Sequence, residues 1–232
     1  MTDIRANLED VLRRIEHAAA ACGRSSGEIA LVAISKTFPV EALVEAVAAG
    51  QLRLGENKVQ EAEAKIRGLA SGPRIEWHLV GHLQSNKARR AAELFDVIHS
   101  IDSLKLAAKL DAAARELRRP LSVLVQVDLA GEPTKSGVDR AGLETLVDGF
   151  AELAGLRLDG LITLPPFADD PERARPYFRE LGELRDRLEA RRPGCLGRRH
   201  LSMGMSHDFE AAIAEGATLV RIGAAIFGAR RP

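Results

Sequence analysis

The chain has 232 residues, and 46% of them are hydrophobic, which is enough for one large core and too many for a disordered chain. Lysine plus arginine and aspartate plus glutamate each number 33, so the net charge is zero. This balance argues against nucleic acid as a partner, because proteins that bind phosphate backbones usually carry a basic surface. The N-terminus lacks the apolar region of a signal peptide, and we find no apolar run of membrane-spanning length. We therefore expect a cytoplasmic protein that does not contact membranes.

The first predicted element is a helix, because Leu8, Val11, Leu12 and Ile15 recur at helical spacing before Gly23 ends the pattern. Short apolar runs then alternate with longer amphipathic segments. The eight runs are Ile29–Ser35, Leu52–Gly55, Trp77–Val80, Val97–Ile101, Leu121–Val127, Leu158–Leu164, His200–Met203 and Thr218–Ile222. The amphipathic segments include Glu41–Ala49, Leu104–Leu117 and Leu143–Leu153.

Strands that alternate with helices predict a parallel sheet, because each parallel crossover needs a covering helix. Eight such units in about 200 residues predict an α/β protein with a single (β/α)₈ TIM-type barrel domain over residues 1–232. An extra helix at the N-terminus precedes the barrel. The alternative is a doubly wound open sheet, which normally has a glycine-rich turn after its first strand. Here Lys36-Thr37-Phe38-Pro39 follows that strand without a glycine.

Functional groups of such barrels gather at the carboxyl ends of the strands. Lys36 follows the first run and shares its period-2 face with Val32 and Ile34. If that face points into the barrel, partial desolvation lowers the pKa of the amine and makes it a nucleophile suited to Schiff-base formation. The alternative is a lysine at a strand end that reaches into solvent.

The segments after the seventh and eighth runs occupy the position at which barrels commonly bind phosphate. In the block from His200 to Asp208, Gly204 lets the backbone approach a ligand, and Ser206 is expected to bind phosphate and to cap a helix that begins at Asp208. Gly223 offers a second close approach after the eighth run. The alternatives are an ordinary helix cap at Ser206 and a tight turn at Gly223.

Arg221 interrupts the apolar eighth run, and a buried arginine needs a partner. One interpretation is an ion pair inside the barrel with Glu56 or Asp128, and the other is a cation placed beside a ligand ring. His78 in the third run and His82 just after it suggest a metal pair. No third ligand stands near them, so we expect no metal site.

These residues belong to motifs that together resemble the pyridoxal phosphate homeostasis protein family, which is related to the N-terminal barrel domain of alanine racemase. The motifs are Leu31–Thr37, Gly55–Glu61, Trp77–Lys87, Lys135-Ser136-Gly137, Leu201–Asp208 and Arg221–Gly228. The resemblance implies that pyridoxal 5'-phosphate (PLP) is bound as a Schiff base on Lys36. It also implies that Ser206 and the Gly223-Ala224 backbone hold the phosphate, that Arg221 meets the pyridine nitrogen and that Asn57 lies near the ring. His78, Ser202, Gly204 and Met205 complete the expected cofactor-binding set.

The family is described as one of cofactor homeostasis or carriage with no established reaction, so the resemblance implies no catalytic residue. It implies PLP as ligand and PLP-dependent apoenzymes as recipients, and we expect a monomer, with a dimer as the alternative. The family often has a hydroxyl residue where this chain has Ala224, so one side-chain contact to the phosphate is expected to be missing.

The alternative function is that of an amino-acid racemase, which needs a base on each face of its substrate. Lys36 supplies one base. Racemases of the related fold take the second, a tyrosine, from a C-terminal β-domain of the partner subunit. We expect no such domain, because the chain ends at Pro232, soon after the eighth run. The only tyrosine, Tyr177, is expected to pack within the helix after the sixth run. A sugar-phosphate aldolase ranks last, since its lysine usually lies on a later strand.

Overall fold

The computed structural model describes residues 2–131 and 136–229. Lys135 of the Lys135-Ser136-Gly137 motif therefore lies outside the described residues. Eight parallel strands form a closed barrel in which each strand pairs with its neighbours in sequence, and β8 closes on β1. The strands are β1 (Ala30–Ile34), β2 (Arg53–Glu56), β3 (Glu76–Leu79), β4 (Val97–Ile101), β5 (Leu121–Gln126), β6 (Leu156–Ile162), β7 (His200–Ser202) and β8 (Leu219–Ile222). The predicted barrel is confirmed, and every strand begins and ends within two residues of its predicted run.

A helix precedes the barrel, one follows each of the first seven strands, and a short helix follows the eighth. They are α1 (Ile4–Ala21), α2 (Val40–Ala48), α3 (Val59–Gly68), α4 (Ala88–Leu94), α5 (Leu104–Glu116), α6 (Arg140–Gly149), α7 (Arg175–Arg191), α8 (Phe209–Ala214) and α9 (Ala224–Phe227). Helix α6 begins three residues before its predicted start, because the Asp139 side chain caps it by accepting a 2.7 Å hydrogen bond from Gly142 N. Among the described residues, no helix is both long and apolar enough to cross a lipid bilayer.

Helix α1 packs across α8 and α9 at the junction where the barrel closes. Its buried face consists of Ile4, Leu8, Val11, Ile15 and Ala19. The sequence spacing predicts Leu12 on this face, but its side chain is exposed, because it lies one residue, a rotation of about 100°, after the buried Val11.

The side chains of β1 alternate between two apolar clusters, as the pleat of a strand requires. Leu31 and Ala33 belong to the large cluster between the strands and the helices. Val32 and Ile34 belong to a smaller cluster, which they share with buried side chains from β4, β5, β6 and β8. Strands on opposite sides of a closed barrel meet only in its interior, so Val32 and Ile34 point inward. The prediction that Val32 and Ile34 share a face that points into the barrel is therefore confirmed. Lys36, two residues after Ile34, lies at the mouth of the barrel.

Candidate functional site

A cavity of about 290 Å³ opens at the carboxyl ends of β1, β2, β7 and β8. This volume is close to the lower bound, roughly 300 Å³, of pockets that hold small ligands. Seven of the predicted site residues line the cavity: Lys36, Asn57, Met205, Ser206, Arg221, Gly223 and Ala224. The other lining residues are Ile34, Phe38, Val80, Leu164, Phe167, His207 and Gly228. The cavity is therefore mainly apolar, with a few polar groups that converge on it.

An ionic cluster centred on the buried Glu56 and Lys65 lies at the end of β1, next to Lys36 in the chain. The Ser35 hydroxyl donates a 2.6 Å hydrogen bond to Glu56 Oε1. Lys65 Nζ donates 2.7 Å hydrogen bonds to the Ser35 carbonyl oxygen, to Glu56 and to Glu61. These contacts tie the end of β1 to β2 and to α3, so the backbone that carries Lys36 is held in place.

The residue after Lys36 is held in an unusual conformation. Thr37 has φ +70°, a left-handed backbone that a β-branched residue rarely adopts. Its backbone N–H donates a 2.5 Å hydrogen bond to Glu61 Oε1. Burial opposes the ionisation of Glu61, but the hydrogen bonds from Lys65 and from the Thr37 N–H hold the pKa of its carboxyl below the usual value. The turn that sets the direction of Lys36 is thus fixed by a charged carboxylate.

Glu56 is fully buried, and this desolvation raises the pKa of its carboxyl, although hydrogen bonds from Lys65 and Ser35 oppose the rise. Its Oε2 atom has no hydrogen-bond partner among the described residues. Glu56 was one of two carboxylates considered as the partner of Arg221. It pairs instead with Lys65 at 2.7 Å. The predicted ion pair between Arg221 and Glu56 is therefore wrong.

Lys65 was missed by the sequence analysis, although the sequence contains a signal for it. It falls on the buried stripe of α3 with Val59 and Ala62, and it lies four residues after Glu61. A lysine in an apolar stripe with a glutamate one turn earlier is typical of a buried ion pair.

Ser206 lies at the cavity, but it does not cap α8. The residue before α8 is Asp208, whose side chain accepts a 2.6 Å hydrogen bond from Met205 N. The Ser206 hydroxyl instead accepts hydrogen bonds from the backbone N–H groups of Gly223 at 3.2 Å and of Ala225 at 3.3 Å. Ser206 therefore joins the loop after β7 to the start of α9, and the expected cap of α8 is corrected to an interaction with α9.

The two predicted glycines differ in what they do. A Cβ atom on Gly223 would lie 3.0 Å from the carbonyl oxygen of Ile34, so glycine allows the end of β8 to approach the end of β1 at the cavity. Gly204 is not a lining residue. It has φ +89°, and a Cβ atom there would lie 2.6 Å from Ala212 Cβ, so the glycine serves a turn that packs closely on α8.

Arg221 is 4% exposed, and its guanidinium contacts neutral acceptors. Nη1 donates to Ser202 Oγ at 2.8 Å and Nη2 donates to the Thr163 carbonyl oxygen at 3.0 Å. No carboxylate of the described chain lies within ion-pair distance of it. Burial lowers the pKa of Arg221 to about 10, against the attraction of Asp208. Asp128, the second carboxylate considered, accepts from two backbone N–H groups of the loop after β5. The ion-pair interpretation is therefore wrong for both acids.

Two further predicted residues lie below the cavity. His78 is 1% exposed and hydrogen-bonds to Glu76 near the amino end of β3 and to His99. Ser202 is fully buried between His99 and Arg221. The structure thus places His78 and Ser202 in the barrel interior rather than on the cavity wall. Within the described ranges, no three His, Cys, Asp or Glu side chains are grouped as metal ligands.

The mouth of the cavity carries an aromatic pair that the sequence analysis did not identify. Phe167, in the loop after β6, is 78% exposed. Its ring centroid lies 5.7 Å from that of His207, and His207 Nε2 donates a 2.8 Å hydrogen bond to the Asp169 carbonyl oxygen. The available signal was the position of Phe167 after the sixth apolar run, at the end of the barrel where loops often carry function. Tyr177, by contrast, packs against the core from α7.

The donors around the cavity define what it can bind. Lys36 supplies an amine that can attack a carbonyl carbon. The Ser206 hydroxyl and the Ala224 backbone N–H can donate to an anion, and Arg221 supplies a fixed cation. Such a set suits a small ligand that carries both an anionic group and a carbonyl group.

The family described as "Alanine racemase, N-terminal domain" matches residues 7–231. The "Pyridoxal phosphate homeostasis protein" of Vibrio alginolyticus is 44% identical over 99% of this chain and 99% of its own length. The protein of the same name from Escherichia coli (strain K12) is 45% identical over 99% of this chain and 98% of its own length.

A solved structure is also similar along most of the chain. The structure of PipY from Synechococcus elongatus PCC7942, with PLP bound, is 40% identical in sequence and has a TM-score of 0.83. The match covers 92% of this chain and 100% of the PipY chain. With a family match over nearly every residue and relatives of this identity, the chain belongs to the pyridoxal phosphate homeostasis proteins, which are built on the alanine racemase N-terminal domain.

Proposed function

We propose that this protein binds PLP in the cavity at the carboxyl end of the barrel and acts in PLP homeostasis. Lys36 Nζ would condense with the aldehyde carbon of PLP to form a Schiff base, with the aldehyde oxygen leaving as water, and the protein holds and releases the cofactor rather than catalysing a committed reaction. The observation that carries the proposal is the convergence of an amine, an anion-binding loop and a cation on one cavity. The PLP-bound structure of PipY, a relative with 40% identity, supports it.

The phosphate end of PLP fits the segment between Ser206 and α9. The Ser206 hydroxyl accepts from two backbone N–H groups, so its own proton is the one that it can offer to a ligand. Gly223 leaves no side chain between this segment and the end of β1. Ala224 is exposed at the cavity and its side chain adds no polar atom, so we assign the phosphate contacts to the Ser206 hydroxyl and to the Ala224 backbone N–H.

The ring end fits Arg221. Bound PLP withdraws electrons most strongly from an attached amine when its pyridine nitrogen is protonated, and a carboxylate partner maintains that proton. A guanidinium has donors only, so Arg221 hydrogen-bonds to the unprotonated nitrogen and does not favour the protonated one. Asn57 lines the same cavity and lies beside the ring. This arrangement supports tight holding of the cofactor with weak activation of bound amines.

The direct test is the absorbance spectrum of purified protein with added PLP, before and after borohydride reduction. We expect a visible band that reduction removes, together with a stable PLP adduct that peptide mass spectrometry maps to Lys36. A spectrum identical to that of free PLP, with no adduct, would contradict the proposal.

Ser206→Ala is expected to weaken PLP binding by about 1–2 kcal/mol, the scale of one hydrogen bond to a charged group. The variant is also expected to lose about 1 kcal/mol of unfolding free energy, because the N–H groups at the start of α9 lose their acceptor. Ala224→Thr should leave binding unchanged or tighten it, since its hydroxyl would face the cavity. Equilibrium titration of PLP by fluorescence measures both variants.

Ser103→Ala is the matched control for Ser206→Ala. Ser103 caps α5 by accepting from Leu106 N, and it is not a lining residue of the cavity. It should lose a similar amount of stability without any change in PLP affinity. Equal PLP affinities for Ser206→Ala and Ser103→Ala would indicate that the phosphate does not bind at Ser206.

Protein loaded with PLP and supplied with L-alanine is expected to show no racemization at enzyme-level rates. Arg221 leaves the ring poorly suited to stabilising a carbanion, and Tyr177 lies in α7 away from the cavity walls. Chiral chromatography of the mixtures over time measures the rate. Steady formation of D-alanine near 1 s⁻¹ or above, the low end of ordinary enzymes, would favour a racemase if Lys36→Ala abolished it.

If racemization were observed, His207 would be the candidate for the second base. It is the histidine that lines the cavity, and its Nε2 is engaged with a backbone carbonyl, which leaves Nδ1 as an acceptor. If racemization were found, its loss in His207→Ala would identify the second base. Its persistence in that variant would show that the second base is a group other than His207.

We further propose that the recipients of the cofactor are PLP-dependent apoenzymes and that the chain acts as a monomer. The exposed aromatic pair at the mouth supports release toward solvent or a partner rather than permanent enclosure of the ligand. Light scattering coupled to size-exclusion chromatography measures the oligomeric state with and without PLP.

A further inference from the structure

A continuous chain of hydrogen bonds crosses the barrel interior beneath the cavity; we call it the interior chain. His78 Nε2 lies 2.9 Å from Glu76 Oε1, and His78 Nδ1 lies 2.9 Å from His99 Nε2. His99 Nδ1 lies 3.0 Å from Ser202 Oγ, which accepts from Arg221 Nη1 at 2.8 Å. The chain therefore starts at Glu76, whose side chain is 40% exposed at the amino end of the barrel, and ends at the cavity.

The path of the chain follows from the barrel geometry. His78 lies on β3 and His99 on the adjacent β4, whereas Ser202 and Arg221 lie on β7 and β8 across the interior. The contact between His99 and Ser202 thus spans the barrel. Such a contact forms only because both side chains point inward at the same height.

The chemistry of the members fixes the direction of every proton in the interior chain. A guanidinium only donates, so Ser202 Oγ accepts from Arg221. Among the described residues, the remaining partner of the Ser202 hydroxyl is His99, so Ser202 donates its proton to His99 Nδ1. A neutral imidazole then carries its proton on Nε2 and donates it to the next acceptor in the chain.

The same logic continues to the surface. His99 Nε2–H donates to His78 Nδ1, so His78 carries its proton on Nε2 and donates to the Glu76 carboxylate. Burial, together with the positive charge of Arg221, lowers the pKa of His99 well below its usual value, so His99 is neutral. Hydrogen bonding to His78 keeps the pKa of Glu76 below its usual value, so this end of the chain is anionic.

The interior chain can stabilise the buried charge of Arg221. A buried guanidinium without an adjacent carboxylate costs free energy unless dipoles stabilise it. In the derived proton order, every member presents an acceptor toward Arg221 and a donor toward Glu76. Hydrogen bonds aligned in this way polarise one another, so the distant carboxylate acts on the cation through the chain.

We propose that Glu76, His78, His99 and Ser202 are positioning residues that keep Arg221 charged and directed at the cavity. Through Arg221 the interior chain determines the charge state of the ring nitrogen of the bound cofactor. This second statement rests on the proposed PLP function, whereas the proton order does not.

The first experiment needs no cofactor. Two-dimensional ¹⁵N–¹H NMR of the histidine rings in PLP-free protein at pH 8 should show both His78 and His99 as the Nε2–H tautomer. His78→Gln and His99→Gln assign the two signals by their loss. A proton on His99 Nδ1, or a doubly protonated His99 ring, would overturn the proton order.

The second experiment interrupts the interior chain and restores it. His99→Phe should weaken PLP binding roughly three- to tenfold, the effect of one lost hydrogen bond, and should shift the pH titration of the visible band of bound PLP. His99→Gln can accept from Ser202 and donate to His78, so it should restore both properties toward wild type. Ser202→Ala removes only a hydroxyl and should resemble His99→Phe, which keeps the test valid if His99→Phe does not fold.

Ser100→Ala is the matched control. Ser100 is buried beside His99 on β4, and its hydroxyl has no partner among the described residues, so its removal should change neither affinity nor titration. If folded His99→Phe and Ser202→Ala bind PLP with wild-type affinity and titration, the interior chain does not position Arg221, and the inference is wrong. If wild-type protein itself fails to bind PLP, the proposed function fails instead, and the tautomer measurement alone decides the proton order.

Discussion

Lys36→Ala is expected to abolish the covalent link between the protein and PLP, measured as the mass of the intact protein after borohydride reduction. Lys36 is the amine that lines the cavity. Lys65, a second lysine at the end of β1, is 4% exposed and its amine donates three hydrogen bonds, to the Ser35 carbonyl oxygen, Glu56 and Glu61. Noncovalent affinity should survive in part, because Ser206 and Arg221 remain. The expected result is therefore loss of the adduct with weakened but measurable binding of PLP.

Lys58→Ala is the control for this variant. Lys58 is exposed, follows the cavity residue Asn57 and precedes the first residue of α3. Its removal should leave the adduct at the wild-type yield. If borohydride fixes PLP to Lys36→Ala as efficiently as to wild type, another lysine forms the bond and the site is assigned to the wrong residue.

The elements of the barrel could be predicted from the sequence, because each depends on local periodicity. The alternation of apolar runs and amphipathic segments indicates strands covered by helices. The two-residue period of β1 indicates that Val32, Ile34 and Lys36 share a face. The position of phosphate sites in barrels directed attention to Ser206 and Gly223. All of these features are properties of short segments or of the barrel as a class.

The height of each inward side chain along the barrel could not be predicted, because it depends on the stagger between strands. Ser202 pairs with Leu219, two residues before Arg221, so it lies beneath the guanidinium rather than at the cavity. His78 pairs with Gly55 and likewise lies below Asn57. A period of two identifies the face on which a residue lies but not its layer, and this is why His78 and Ser202 were assigned to the cavity.

Contacts between segments that are distant in sequence also could not be predicted. Glu56 and Lys65 meet because α3 folds back over β2, and the sequence alone left Glu56 equally available to Arg221. Ser206 serves α9 rather than α8, because β7 and β8 are neighbours in the closed barrel. Both outcomes depend on which ends of the elements meet in space, and local propensity does not contain that information.

Lys65→Met is expected to destabilise the protein by about 3–5 kcal/mol at pH 8, because it leaves the fully buried Glu56 carboxylate without its cation. For a chain of this size, the melting temperature should fall by roughly 6–20 °C. The end of β1 loses its support, so PLP adduct formation at Lys36 should also decrease. Urea unfolding followed by circular dichroism measures the loss. Lys105→Met, at an exposed lysine of α5, should stay within about 0.5 kcal/mol of wild type.

The pH dependence of that loss distinguishes charge from packing. Burial already raises the pKa of Glu56 in the folded protein, and removing the Lys65 ammonium raises it further. A carboxyl with a raised folded pKa contributes stability below its unfolded pKa and loses that contribution as pH rises through the folded pKa. The deficit of Lys65→Met relative to wild type should therefore be largest at pH 8 and shrink as pH falls through the raised pKa of Glu56. Adding Glu56→Gln should remove most of this pH dependence, since no buried carboxylate remains at that position. An equal deficit at pH 8 and pH 5 would mean that lost packing of the lysine stem, and not an uncompensated charge, accounts for the destabilisation.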